Sequence, residues 1–181
     1  MTDAGQAMAG LARPMQHAVN NLVMVLQANM DSVLASLPPE DRAAIRLTRA
    51  AQAAKDMDAL VRAFLRLGRP EEKAPLDSGR FLASALPVLA LAAGKPVKVQ
   101  TVSTLPIAPH RPAMDLALLG AFAGAKALPH ANPPAIVLEG AVWRLNWALP
   151  GGSRAALEAA EIGVEEEAEA TRLTFPVAAT A

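Results

Sequence analysis

The first third of the chain places apolar and polar residues with the period of a helix. From about Ala7 to Leu37, Met15, Ala18, Leu22, Val25 and Val33 fall on one side at about 100° per residue. His17, Asn20, Asn21, Met24 and Asp31 fall on the other. Pro14 fits such a helix only as a late start or a local kink. The run Leu37-Pro38-Pro39-Glu40-Asp41 breaks the pattern. Pro39 suits the first turn of a second helix, and Glu40 and Asp41 favour its positive end. That helix runs to about Leu67 and stops at Gly68, with Pro70 beyond. Its apolar positions Met57, Leu60, Val61, Phe64 and Leu67 recur at helical spacing. A hairpin alone leaves its apolar stripe half covered, and two copies close it. The pattern therefore predicts a homodimeric four-helix bundle through residues 7–67.

A polar linker, Arg69 to Pro75, separates this hairpin from a region of different texture. Asp77-Ser78 suits the cap of a helix running to about Ala93. Val97 to Val102 alternates as a half-buried strand. Leu105 to Pro112 reads as a proline-punctuated loop, and Ala113 to Leu128 as an apolar, buried helix. Ala135–Glu139 and Val142–Trp147 read as strands joined at Gly140. Ser153 suits the cap of a helix to about Glu161, Glu165-Glu166-Glu167 a solvated loop or helix end, and Arg172–Val177 a last strand. Trp143 and Trp147 belong in the core. The expected fold class is α+β, with a hairpin domain over 1–70 and an α/β sandwich over 76–181.

Composition narrows the function. A hydrophobic fraction of 52% supports a packed core, and aromatics at 3% mean that it is built mainly from Ala, Leu and Val. Seventeen basic and seventeen acidic residues cancel, which argues against nucleic-acid binding by bulk charge. Without cysteine there are no disulfides or thiolate metal sites. The longest apolar run, Phe81 to Ala93, is too short for a membrane span and contains Pro87. The first residues lack the pattern of a signal peptide. A soluble, cytoplasmic protein without membrane partners is expected.

Three histidines are candidates for chemistry. His110 and His130 lie in proline-rich loop sequence with no ligand-spaced partner, so no metal site is expected there. His17 lies on a helix, on the face away from the apolar stripe, where an imidazole is presented rather than packed. It is suited to serve as a base, a ligand or a nucleophile.

The run His17-Ala18-Val19-Asn20-Asn21-Leu22 resembles the phosphoacceptor box His-Asp/Glu-Phe-Asn-Asn-Leu of bacterial two-component histidine kinases. The order of hairpin, linker and α/β sandwich is similar to theirs, as is Leu65–Arg69 followed by Pro75-Leu76-Asp77. Four departures accompany the likeness. Ala18 stands where the kinases carry an acid. Gly124 and Ala127 stand where the nucleotide box carries its metal-coordinating asparagine and following aspartate. Ala148-Leu149-Pro150-Gly151-Gly152 replaces the adenine-binding Asp-x-Gly-x-Gly, and no Gly-Leu-Gly-Leu loop follows.

With those groups missing, the resemblance implies a degenerate kinase that binds no ATP, similar to the dimeric, ChpT-like histidine phosphotransferases. It implies that His17 relays a phosphoryl group between aspartates of response-regulator receiver domains. No cofactor is expected on this chain, since the receiver carries the Mg2+. Asn21, one turn after His17, is implied to position water in a receiver-phosphatase reaction. Asn20, Met24, Gln27, Ala28 and Asp31 are implied to border the docking surface. A hybrid histidine kinase is a further candidate partner, and a non-catalytic adaptor or inhibitor is the alternative function. Two arginine groups, Arg42/Arg46/Arg49 and Arg62/Arg66, lie at opposite ends of the second helix, and the sequence does not choose between them as partner contacts.

Overall fold

A computed structural model describes residues 3–179, with side chains at 10–12 and 14–179. Residues 1, 2, 180 and 181 of the two expected domains lie outside the described residues. Helix at 51% and strand at 20% make an α+β chain, helical at its N-terminal end. It divides into two compact units, Met1–Arg69 and Pro70–Ala181.

The first unit is an antiparallel helical hairpin. Helix α1 spans Asp3–Leu34, so Pro14 lies inside it rather than at its start. Asp41 caps α2, Arg42–Arg66, its carboxylate accepting from the Ala43 N–H at 2.6 Å. The two helices meet along a seam to which the apolar stripe contributes only Val61. On α1 the seam comprises buried Ala12 and Val23 with half-buried Gln16, Val19, Gln27, Met30 and Leu34. On α2 it comprises buried Ala44, Ala51 and Ala54 with half-buried Leu47, Asp58, Val61 and Leu65. Alanines win the seam because small side chains let helix axes approach closely.

Most large apolar residues of the stripe remain outside it. Leu22 is 72% exposed and Phe64 57%, and Met15, Val25, Val33 and Met57 are also exposed. On each helix this stripe lies about 100° from the seam, displaced in the same sequence sense. Antiparallel helices rotate in opposite senses when viewed from one end, so the two displacements carry both stripes onto one face of the hairpin.

In the second unit, β1 (Glu72–Lys73) and β2 (Leu76–Asp77) precede α3 (Ser78–Ala93). Then come β3 (Lys98–Thr104), β4 (Pro106–Ile107), β5 (His110–Arg111) and α4 (Ala113–Phe122), whose end tightens into a 3-10 turn over Ala123–Ala127. β6 (Ala135–Gly140), β7 (Val142–Leu145), α5 (Ser153–Ala159), β8 (Gly163–Glu166) and β9 (Thr171–Thr174) complete it. The five-stranded sheet has the order β3-β6-β7-β9-β8, with β3 parallel to β6 and all other pairs antiparallel. Gly140, at φ 62°, opens the turn between β6 and β7, in a left-handed conformation that suits glycine. Asp77 caps α3, and its carboxyl is held below the ordinary range by hydrogen bonds from the Thr104 side chain and the Arg80 N–H.

Several local expectations need correction. The strand over Val97–Val102 becomes β3, an edge strand exposed at every position rather than half-buried. The Leu105–Pro112 loop contains β4 and β5, each a two-residue strand paired with β2 or β1. Glu165 and Glu166 lie in edge strand β8 rather than in a loop or helix end. Ser153 is the buried first residue of α5, and Gly152, at φ 85°, precedes it as the cap.

The core lies between α3, α4, α5 and one face of the sheet. Trp143 and Trp147 are buried in it. Trp143 sits 4.6 Å from Phe175 between ring centroids, and Trp147 packs edge-on to Phe122 at 5.2 Å. Beneath α3 a salt bridge is sealed from water. Arg111 Nε donates to Asp115 Oδ2 at 2.7 Å, its NH1 donates to Ser84 Oγ at 3.1 Å, and its guanidinium lies 4.9 Å from the Phe81 ring centre. Removing one member of such a pair strands a buried charge. Asp115→Ala is expected to lower stability by about 3–5 kcal/mol in chemical denaturation. A loss of under about 1 kcal/mol would show that Arg111 finds another partner. Among the described residues, no helix is long and apolar enough to cross a membrane.

Candidate functional site

His17, Asn21, Met24, Ala28 and Asp31 follow one another at alternating steps of four and three residues, so they form one stripe along α1. All five are exposed. The stripe is turned away from the apolar face, with the α1–α2 seam between them. Asn20 and Gln27, expected on the same surface, are half-buried because they lean toward α2. The seven candidate residues are therefore five presented side chains and two at the edge of the seam.

His17 makes no hydrogen bond or ion pair among the described residues. An imidazole in this state can offer a ring-nitrogen lone pair to an incoming electrophile. Asn21, one turn on, can donate and accept on the same side. Around Asn20 the hairpin carries a polar notch that sequence reasoning did not resolve. Asp58 Oδ2 accepts from Arg62 Nε at 2.7 Å, while Asn20 Oδ1 and Asp58 Oδ1 are buried without a hydrogen-bond partner. Arg69 donates to Gln16, which ties the end of the hairpin to the level of His17.

The other histidines lie in the second unit. His110 Nε2 is 3.4 Å from Glu71 Oε2, a partner hidden from the sequence because only the β1–β5 pairing brings it near. Next to it Lys73 donates to Glu161 at 2.6 Å. That hydrogen bond and the Lys73 charge, with a smaller contribution from His110, hold the Glu161 carboxyl below its usual range. Both pairs are solvent-exposed and contribute little to stability. Among the described residues, no cluster of three or more His, Asp and Glu side chains could hold a metal ion.

The two segments that the resemblance assigns to the nucleotide pack against each other. A Cβ at Gly124 would lie 2.7 Å from the Ala148 carbonyl oxygen, 2.9 Å from Pro150 and 3.2 Å from Trp147. Beside them is a cleft of about 360 Å³, whose lining includes Ala127, Asn132, Asn146 and Glu169. Asn146 is committed to the scaffold, accepting from the Ala135 N–H and donating to Asn132 and the Pro133 carbonyl. Gly124→Asn restores the residue type of the nucleotide box but places it against backbone. It is expected to lower stability by about 1–3 kcal/mol and to bring no ATP binding by calorimetry. Micromolar ATP binding by this variant would contradict that packing argument. Compared with known proteins, the chain matches no family model and no curated protein.

Proposed function

We propose that the chain is a histidine phosphotransferase, built like a degenerate two-component histidine kinase, that passes a phosphoryl group between receiver domains through His17. The observation that carries this reading is the pairing of two opposed surfaces on one hairpin. One is an exposed stripe headed by an imidazole that has no partner among the described residues. The other is a face that carries the exposed large apolar residues of both helices. In this reading the apolar face closes against a second copy to make a four-helix bundle, and His17 points outward on each protomer. The second unit is a kinase-like sandwich without its nucleotide, consistent with the close approach at Gly124.

The chemistry is an in-line displacement at phosphorus. A His17 ring nitrogen donates its lone pair to the phosphorus of a receiver's aspartyl phosphate. The bond from phosphorus to the aspartate oxygen breaks, and the aspartate leaves as a carboxylate. The reverse step loads a second receiver. Each receiver brings its own Mg2+ to offset the phosphoryl charge, so this chain has to supply only an aimed nucleophile and a docking surface. No acid after His17 is required, and Ala18 is compatible. A cytoplasmic location goes with this reading.

Exposed Asn21, one turn from His17, favours one second reading, hydrolysis of the receiver phosphate by a water that Asn21 positions. The two separate by variant. Under phosphotransfer, receiver dephosphorylation stops in His17→Ala. If it persists in His17→Ala and stops in Asn21→Ala, the chain is a phosphatase. Stable binding with neither reaction leaves an adaptor.

A further inference from the structure

The fold distinguishes the two arginine groups of α2. Counted from the hairpin turn at about 1.5 Å per residue, His17 lies about 25 Å along α1, Arg62 about 30 Å along α2, and Arg46 only about 6 Å. The Gln16–Arg69 hydrogen bond and the approach of Gly68 to Ala12 fix the same antiparallel register. Direction agrees with level. Relative to the seam, Lys55, Arg62 and Arg66 turn toward the side of the hairpin that carries Asn20, Met24 and Asp31. Arg46 turns toward the apolar face. The side of the hairpin that carries His17 thus also carries Lys55, Arg62 and Arg66 on α2, while Asp31 on α1 lies about 21 Å nearer the turn.

Arg62 is the prepared member of this set. Its Nε is fixed by Asp58, whose side chain is 17% exposed, and its own side chain is 43% exposed. Among the described residues nothing else accepts from its terminal nitrogens. A guanidinium anchored through Nε keeps a two-pronged donor edge for an incoming carboxylate.

We propose that Arg62, held by Asp58, is a specificity-determining residue that takes a carboxylate of a receiver docked over His17. The inference rests on the phosphotransfer reading, and its test separates the two. A receiver domain phosphorylated with radiolabelled acetyl phosphate is titrated against the full chain, and the rate of label transfer is followed. Arg62→Glu is expected to raise the half-saturating receiver concentration about tenfold or more, with the maximal rate within about twofold of the parent. Arg62→Lys recovers most of the loss. Arg49→Glu, the same charge change on another face, leaves the titration unmoved. Added salt weakens the parent and narrows its gap from Arg62→Glu. An unchanged half-saturation in Arg62→Glu overturns the inference while the parent still transfers phosphate. A fall in maximal rate alone also overturns it, since Arg62 would then serve the chemistry rather than docking. If the parent takes no label, the phosphotransfer reading fails, and this inference falls with it.

Discussion

His17→Ala is expected to take no label from any phosphorylated receiver while folding as well as the parent. The side chain is exposed and has no partner among the described residues, so its removal leaves no cavity and strands none of their polar groups. Alanine is the better helix former by roughly 0.5 kcal/mol, so helicity by circular dichroism stays level or rises slightly. What disappears is the only good phosphorus nucleophile on the stripe. Asn21 is an amide, Met24 a thioether, Ala28 is inert, and a phosphoryl group moved to Asp31 would form another acyl phosphate. The expected effect is therefore complete loss of transfer at unchanged stability. A variant that still carries label would move the acceptor elsewhere.

The second large effect concerns assembly. In light scattering the parent is expected at about twice its 18.8 kDa chain mass, and Leu22→Arg with Phe64→Arg at the mass of one chain. These two residues are exposed on the common apolar face and contribute nothing to the seam. The hairpin should therefore survive. Burying a large apolar side chain stabilises by about 1.5–3 kcal/mol. Both residues are counted twice in a symmetric dimer, so about 6–12 kcal/mol of burial is lost. A dimer of micromolar Kd holds about 8 kcal/mol. The change is of the size needed to dissociate it, before the repulsion of four added cations is included. A parent at single-chain mass would remove the four-helix bundle from the account.

The hairpin, its break and its stripe of large apolar residues are legible in the period of the sequence. Which residues join the two helices is not. A period count weights Leu, Met and Phe, whereas close approach selects Ala12, Ala44, Ala51 and Ala54, which stand out little in such a count. The same geometry explains the site. His17, Asn21, Met24, Ala28 and Asp31 lie far enough round α1 to be exposed whatever the seam does. Asn20 and Gln27 lie close to it, and their half-burial depends on α2. The Asp58–Arg62 pair carries an ordinary helical spacing, and its place beside His17 follows only from the antiparallel register. In the second unit, β8 has one apolar residue among two glutamates and a glycine. It forms because β9 supplies the hydrogen bonds, with Glu165 paired to Arg172 and Glu166 to Arg154. The two-residue strands β1, β2, β4 and β5 likewise exist only through partners distant in sequence.

In the proposed reading, phosphate reaches this chain from another protein and rests on one imidazole. The most direct test incubates the parent with a receiver domain phosphorylated on its aspartate, separates the two chains and maps the modified residue. A single phosphoryl group is expected on His17, labile in acid and stable in base as a phosphoramidate is, appearing as the receiver loses its own. Label that never leaves the receiver, or that reaches this chain at a residue other than His17, would contradict it.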